Sequence, residues 1–209
     1  MMNIAIMGQK LARSSLLLIL GAALASCNAP AEAPAAQPPL AGAKIGGPFV
    51  LTDQDGKTVR DTDFAGKYRL VYFGYSFCPD ICPVDVQKLM RGLSQFEKAD
   101  AARGAKIVPM FITVDPERDS PEVMKAYVGN FGARLVGLTG SAAEIAAVAK
   151  AYRVYYAKTG DVDSADYLVD HTSIIYLMAP DGSFRTHFTY TTDAEKLADG
   201  IVAALDRSP

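Results

Sequence analysis

The chain has 209 residues, half of them hydrophobic, enough for one α/β domain with a real core and too few for two. Its 21 basic and 23 acidic side chains leave a formal net charge of −2, which excludes a nucleic-acid binder held by charge. Three cysteines and two histidines are the whole stock of thiol and imidazole groups, so any chemistry that needs them has few places to sit.

Lys10 and Arg13 precede an uncharged stretch, residues 14–26, that ends in Leu24-Ala25-Ser26-Cys27. It is too short for a comfortable bilayer span and suits the apolar region of a secretory signal. Leu-Ala-Ser-Cys resembles a bacterial lipobox, which makes Cys27 the expected lipidation site and residues 1–26 the signal. Two other readings stand beside it: cleavage after Ala23-Leu24-Ala25 without lipid, or residues 11–25 kept as a short anchor. All three place the domain outside the cytoplasm, and the first gives a lipid-anchored protein on the periplasmic face of a bacterial envelope. Residues 28–47 hold four prolines, seven alanines and three glycines with little to bury, the composition of a tether.

From Pro48 a folded domain is expected to run to residue 209. Phe49-Val50-Leu51 and Thr58-Val59-Arg60 flank Asp53-Gln54-Asp55-Gly56, a hairpin with Asp-Gly in the turn. Residues 70–74 and 107–114 are continuous apolar or β-branched runs, the pattern of strands buried on both faces, and residues 84–96 read as the helix crossing between them. Ser120-Pro121 caps a further helix, Ser141 with Glu144 forms a capping box for another, and Thr192 with Glu195 repeats the box for a last helix reaching about Leu205. Residues 174–177 and 184–188 form a second hairpin about Ala179-Pro180-Asp181-Gly182. A βαβ unit joined to a ββα unit predicts a thioredoxin-like α/β fold: a mixed sheet flanked by helices, with an added N-terminal hairpin. In such a sheet the carboxyl ends of the parallel strands share one edge, where ligands gather. Cys78 follows one such strand and Asp115 the next.

Cys78-Pro79-Asp80-Ile81-Cys82-Pro83 places two thiols where a strand meets a helix, and unpaired N–H groups and the helix dipole there favour thiolate. If the segment is helical, the pair lies about one turn apart on one face. A disulfide across so short a loop is a poor structural staple, so reactivity explains the pair better. His171, in Asp170-His171-Thr172-Ser173-Ile174, stands before an apolar strand, where a lone histidine is more often a surface or capping residue. Beside two thiolates it completes a soft set suited to Cu(I), or to Cu(II) with one more oxygen ligand. Structural zinc would need a fourth ligand, His187 or an aspartate. His187 itself reads as exposed and structural. Asp80 and Asp115 are candidate accessory ligands or thiol-tuning groups, although Asp115 also suits the turn at Asp115-Pro116. Tyr72, Phe73, Tyr75 and Phe77 read as core and rim.

Three blocks then resemble one family: residues 74–83, Gly-Tyr-Ser-Phe-Cys-Pro-Asp-Ile-Cys-Pro; residues 111–121, Phe-Ile-Thr-Val-Asp-Pro-Glu-Arg-Asp-Ser-Pro; and residues 167–177, Tyr-Leu-Val-Asp-His-Thr-Ser-Ile-Ile-Tyr-Leu. They are similar to the signature blocks of the Sco/SenC family, in its order. The resemblance implies copper ligands at Cys78, Cys82 and His171. It also implies a role in assembling the dinuclear copper centre of cytochrome c oxidase subunit II, by copper transfer or by reduction of that subunit's cysteines. The implied partners are that subunit, other periplasmic copper chaperones and a thioredoxin-like reductant. The rival readings are a general thiol-disulfide oxidoreductase or peroxidase, in which Cys78 attacks and Cys82 resolves, and a copper sensor. His171 divides the classes, because a dithiol exchanger does not need it.

Overall fold

A computed structural model describes residue 40 and residues 43–207, all of them within one compact unit. The signal, Cys27 and most of the expected tether lie outside the described residues. Nearest the domain, Ile45 is buried and Gly46 donates its N–H to the carbonyl of Ala151.

The N-terminal hairpin forms as read, β1 (Val50–Asp53) against β2 (Thr58–Arg60), with Gly56 at a φ of 75° in its turn. A 3-10 turn, Asp61–Phe64, leads to β3 (Tyr68–Gly74), whose Leu70, Val71, Tyr72 and Phe73 have no exposed surface. Helix α1 (Ile81–Ala99) and the short α2 (Ala101–Gly104) cross to β4 (Ile107–Thr113), which pairs parallel with β3 from Tyr68↔Ile107 to Gly74↔Thr113. Helix α3 (Pro121–Gly129) starts where expected, Ser120 accepting the N–H of Val123 with proline in the first turn. After it come β5 (Val136–Thr139) and α4 (Ala142–Ala151), which carries the Ser141/Glu144 capping box. The second hairpin is β8 (Ile174–Met178) with β9 (Phe184–Thr189), and α5 (Ala194–Asp206) closes the fold. Its cap is Asp193, which accepts the N–H of Lys196, in place of the Thr192 that the sequence suggested. Both residues can cap, and aspartate is the stronger of the two at that position.

The main sheet has seven strands in the order β2-β1-β5-β4-β3-β8-β9, with β3, β4 and β5 parallel and the rest antiparallel. This is the mixed, helix-flanked thioredoxin-like sheet that the sequence predicts. Successive residues of β3 face opposite ways. Tyr72 turns toward Phe111 and α1, where its hydroxyl donates to Asp85; Phe73 turns toward Tyr152 at the end of α4 and toward Tyr176.

One element escaped sequence reading. Strands β6 (Tyr156–Thr159) and β7 (Leu168–His171) form a separate two-stranded ribbon that pairs Tyr156 with His171 and Thr159 with Leu168. An eight-residue connection, 160–167, joins them, and neither segment alternates cleanly between apolar and polar. Pairing across that connection, and not a local pattern, makes the ribbon.

Candidate metal centre

The site lies at the carboxyl edge of β3 and β4. Strand β3 ends at Gly74, which has no Cβ where one would lie 2.9 Å from Cys82 Sγ, so the sulfur packs directly on the strand backbone. The loop that follows is pinned by Asp119, itself without exposed surface: its carboxylate accepts the N–H and hydroxyl of Ser76, at 3.0 and 2.5 Å, and the hydroxyl of Thr113 at 2.6 Å. Burial pushes the Asp119 carboxyl above the ordinary range against those hydrogen bonds. Helix α1 then begins at Ile81, so Cys82 stands in its first turn and Cys78 three residues before it. The N–H of Cys82, one of the amides left over at a helix start, points at Cys78 Sγ from 3.4 Å.

The two thiols differ sharply. Cys78 is partly exposed, and hydrogen bonding from Cys82, His171 and the amides of Asp80 and Cys82 pulls its pKa down to about 3 against the cost of burial. Cys82 is fully buried, and its hydrogen bond to Cys78, together with desolvation, drives it far above the ordinary thiol value. The fold thus pushes the two thiols in opposite directions.

His171 arrives from the end of β7. Its Nε2 lies 3.1 Å from Cys82 Sγ, and its Nδ1 lies 3.3 Å from the carbonyl oxygen of Thr172. The Thr172 carbonyl thus faces Nδ1, and Nε2 is the ring nitrogen turned to the sulfurs. Tyr72 and Tyr75 hold the ring edge-on, with centroids 6.1 and 6.0 Å away. The ligand atoms of Cys78, Cys82 and His171 all lie within 4.8 Å of one another, and this is the one such trio among the described residues.

The other candidates stand apart from that trio. Asp115 is buried, but Arg118 Nε bonds one of its oxygens at 2.5 Å and the Tyr167 hydroxyl the other at 2.6 Å, so its carboxylate serves an internal network. Asp80 is exposed at the head of α1 and caps nothing with its side chain. His187 is half-buried rather than exposed as expected. It stacks on Phe184 in the β8–β9 hairpin, has a buried Nδ1 without a hydrogen-bond partner among the described residues, and is held below the usual imidazole range by burial. Sequence reasoning missed Asp119, Arg118, Gly74 and Tyr72 as shapers of the site. Only the close grouping of charges in residues 115–119 hinted at the first two.

The SCO1/SenC family model matches residues 37–206, which is most of the chain. The chain belongs to the SCO1/SenC family. Among its relatives, the mitochondrial SCO1 homologue 1 of Arabidopsis thaliana is 46% identical over 160 residues, covering 77% of this chain and 47% of the relative. The mitochondrial SCO1 homologue of Mus musculus is 42% identical over 159 residues, covering 76% and 55%. The chain thus spans about half the length of the curated relatives it matches. A crystal structure of Arabidopsis thaliana ScoI with copper bound superposes with a TM-score of 0.72 at 43% identity, covering 77% of this chain and 98% of that one.

These relatives correct one expectation. Residues 14–27 suggest a lipid-anchored protein of a bacterial envelope, whereas the two curated relatives above bear mitochondrial names. Among the described residues no helix is long and apolar enough to cross a membrane. An apolar leader with a small-residue end is short and degenerate, and the same letters serve several targeting routes.

Proposed function

We propose that this SCO1/SenC protein binds one copper ion through Cys78, Cys82 and His171 and serves the assembly of the dinuclear copper centre in cytochrome c oxidase subunit II. The carrying observation is the convergence of two sulfurs and the His171 imidazole within 4.8 Å. Two soft sulfurs and an imidazole fit copper by donor type, and the hydrogen bond at Nδ1 fixes which nitrogen faces the metal. Copper here is cargo, and the domain of residues 48–209 is its carrier.

The unequal thiols support a second use of the same pair. The Cys78 thiolate can attack one sulfur of an oxidised cysteine pair in the partner, giving a mixed disulfide and releasing one partner thiolate. Cys82, once deprotonated, then attacks Cys78 Sγ and releases the second. The partner gains two electrons as a dithiol, and Cys78–Cys82 is left as a disulfide. Phe77, next to Cys78 in the chain, and Val84, two residues after Cys82, are exposed apolar groups that suit contact with another protein.

Anaerobic copper titration followed by absorption tests the reading. Thiolate-to-Cu(II) charge transfer saturating at one equivalent is expected, and its loss in Cys82→Ser. Stoichiometric binding with an unchanged spectrum in Cys82→Ser would sink it.

A further inference from the structure

His171 reaches the sulfurs from a ribbon that shares no strand pairing with the main sheet, so something other than sheet hydrogen bonding must hold it there. The link runs through Arg118, in the turn after β4. Its Nε donates to Asp115 at 2.5 Å and its Nη1 to the carbonyl of Ala165 at 3.0 Å, in the connection that leads into β7. Its guanidinium carbon lies 3.6 Å from the centroid of the Tyr167 ring, just before β7, and 4.9 Å from that of Phe77, just before Cys78. Its Nη2 is buried without a hydrogen-bond partner among the described residues, so that edge of the cation is stabilised by aromatic faces alone.

The same ribbon is tied twice more at this point: the Tyr167 hydroxyl donates to Asp115 at 2.6 Å, and the Val169 N–H donates to the Tyr75 hydroxyl at 3.2 Å. One planar cation therefore touches all three segments that build the site: the cysteine loop, the turn after β4 and the approach to His171. A buried ion pair is costly to form and adds little net stability, which makes orientation its better-supported use. Arginine suits it because a flat fork can bond and stack at once.

We propose that Arg118, fixed by Asp115 and Tyr167, is a positioning residue that holds the β6–β7 ribbon, and with it His171, over the cysteine pair. The proposal rests on the copper reading above for its consequence, but its structural content does not need copper. Hydrogen exchange in the metal-free protein reads that content directly. Asp115→Asn with Arg118→Met removes both charges together, so that neither is left buried alone.

In this double variant the Val169 amide and its ribbon neighbours should exchange roughly 10-fold faster than in the parent, while β3 and β4 are unchanged. Copper should leave roughly 10-fold faster, with a shifted charge-transfer band, the scale expected when a group supporting a metal ligand is lost. The unchanged β3 and β4 amides separate this outcome from a general loosening of the fold. Should the double variant fail to fold, Tyr167→Phe removes one hydroxyl from the same network and carries the same readouts at smaller size. Unchanged ribbon exchange together with an unchanged copper off-rate, in a folded variant, overturns the proposal. A parent protein that binds no copper overturns the function instead, and ribbon exchange then decides the clamp by itself.

Discussion

The sulfur of Cys82 occupies the space where a side chain on Gly74 would begin, 2.9 Å from the ideal Cβ position, with Tyr72 and Phe111 ring carbons at 3.0 and 3.1 Å closing the other sides. The end of β3 thus sets the depth of the deeper thiol. Gly74→Ala should cost about 1–3 kcal/mol of stability by overpacking and should weaken copper binding by displacing Cys82 Sγ. Chemical denaturation and copper titration measure the two effects, and wild-type copper affinity in this variant would refute the packing account.

The unequal thiols predict site-selective alkylation. Because the Cys78 pKa is lowered to about 3, its thiolate persists on the alkaline side of that value and is present at about pH 5, whereas Cys82 stays protonated through neutrality. Brief treatment of the reduced, metal-free protein with iodoacetamide near pH 5 should give one adduct, mapped by mass spectrometry to Cys78. Equal labelling of both cysteines would contradict the assignment.

His171 separates copper delivery from thiol reduction. His171→Ala should abolish tight copper binding yet leave Cys78 and Cys82 cycling between dithiol and disulfide, since exchange depends on thiolate character and access. Cells carrying His171→Ala are expected to lose oxidase activity as fully as cells carrying Cys78→Ala. Normal oxidase assembly at limiting copper with a folded, expressed histidine variant would instead favour reduction of the partner's cysteines.

Asp119 pins the cysteine loop without touching either sulfur's trio. Asp119→Ala leaves the Ser76 amide and hydroxyl and the Thr113 hydroxyl without their acceptor. The loss should reach about 1–3 kcal/mol, the cost of stranding buried polar groups. Thermal unfolding checks it, and an unchanged midpoint would mean that water replaces the carboxylate.

By itself the sequence determined the elements whose signals are local. The continuous apolar run of residues 70–74 read as a strand buried on both faces, the caps at Ser120 and Ser141 marked helix starts, and a cysteine pair at a strand–helix junction pointed to redox or metal chemistry. Periods of 2 and 3.6 and the needs of unpaired end amides are written within a few residues, so they can be read without the fold. What only the tertiary structure decided depends on groups far apart in the chain. It placed His171 Nε2 beside Cys82 Sγ across 89 residues by means of a ribbon with no clear alternation of its own. It assigned Asp115 to Arg118 and Tyr167 rather than to the trio, because a buried carboxylate takes whichever cation and hydroxyl the fold delivers to it. It also left His187 half-buried against Phe184, since burial on an edge hairpin follows from what packs over it and not from the residue's neighbours in sequence.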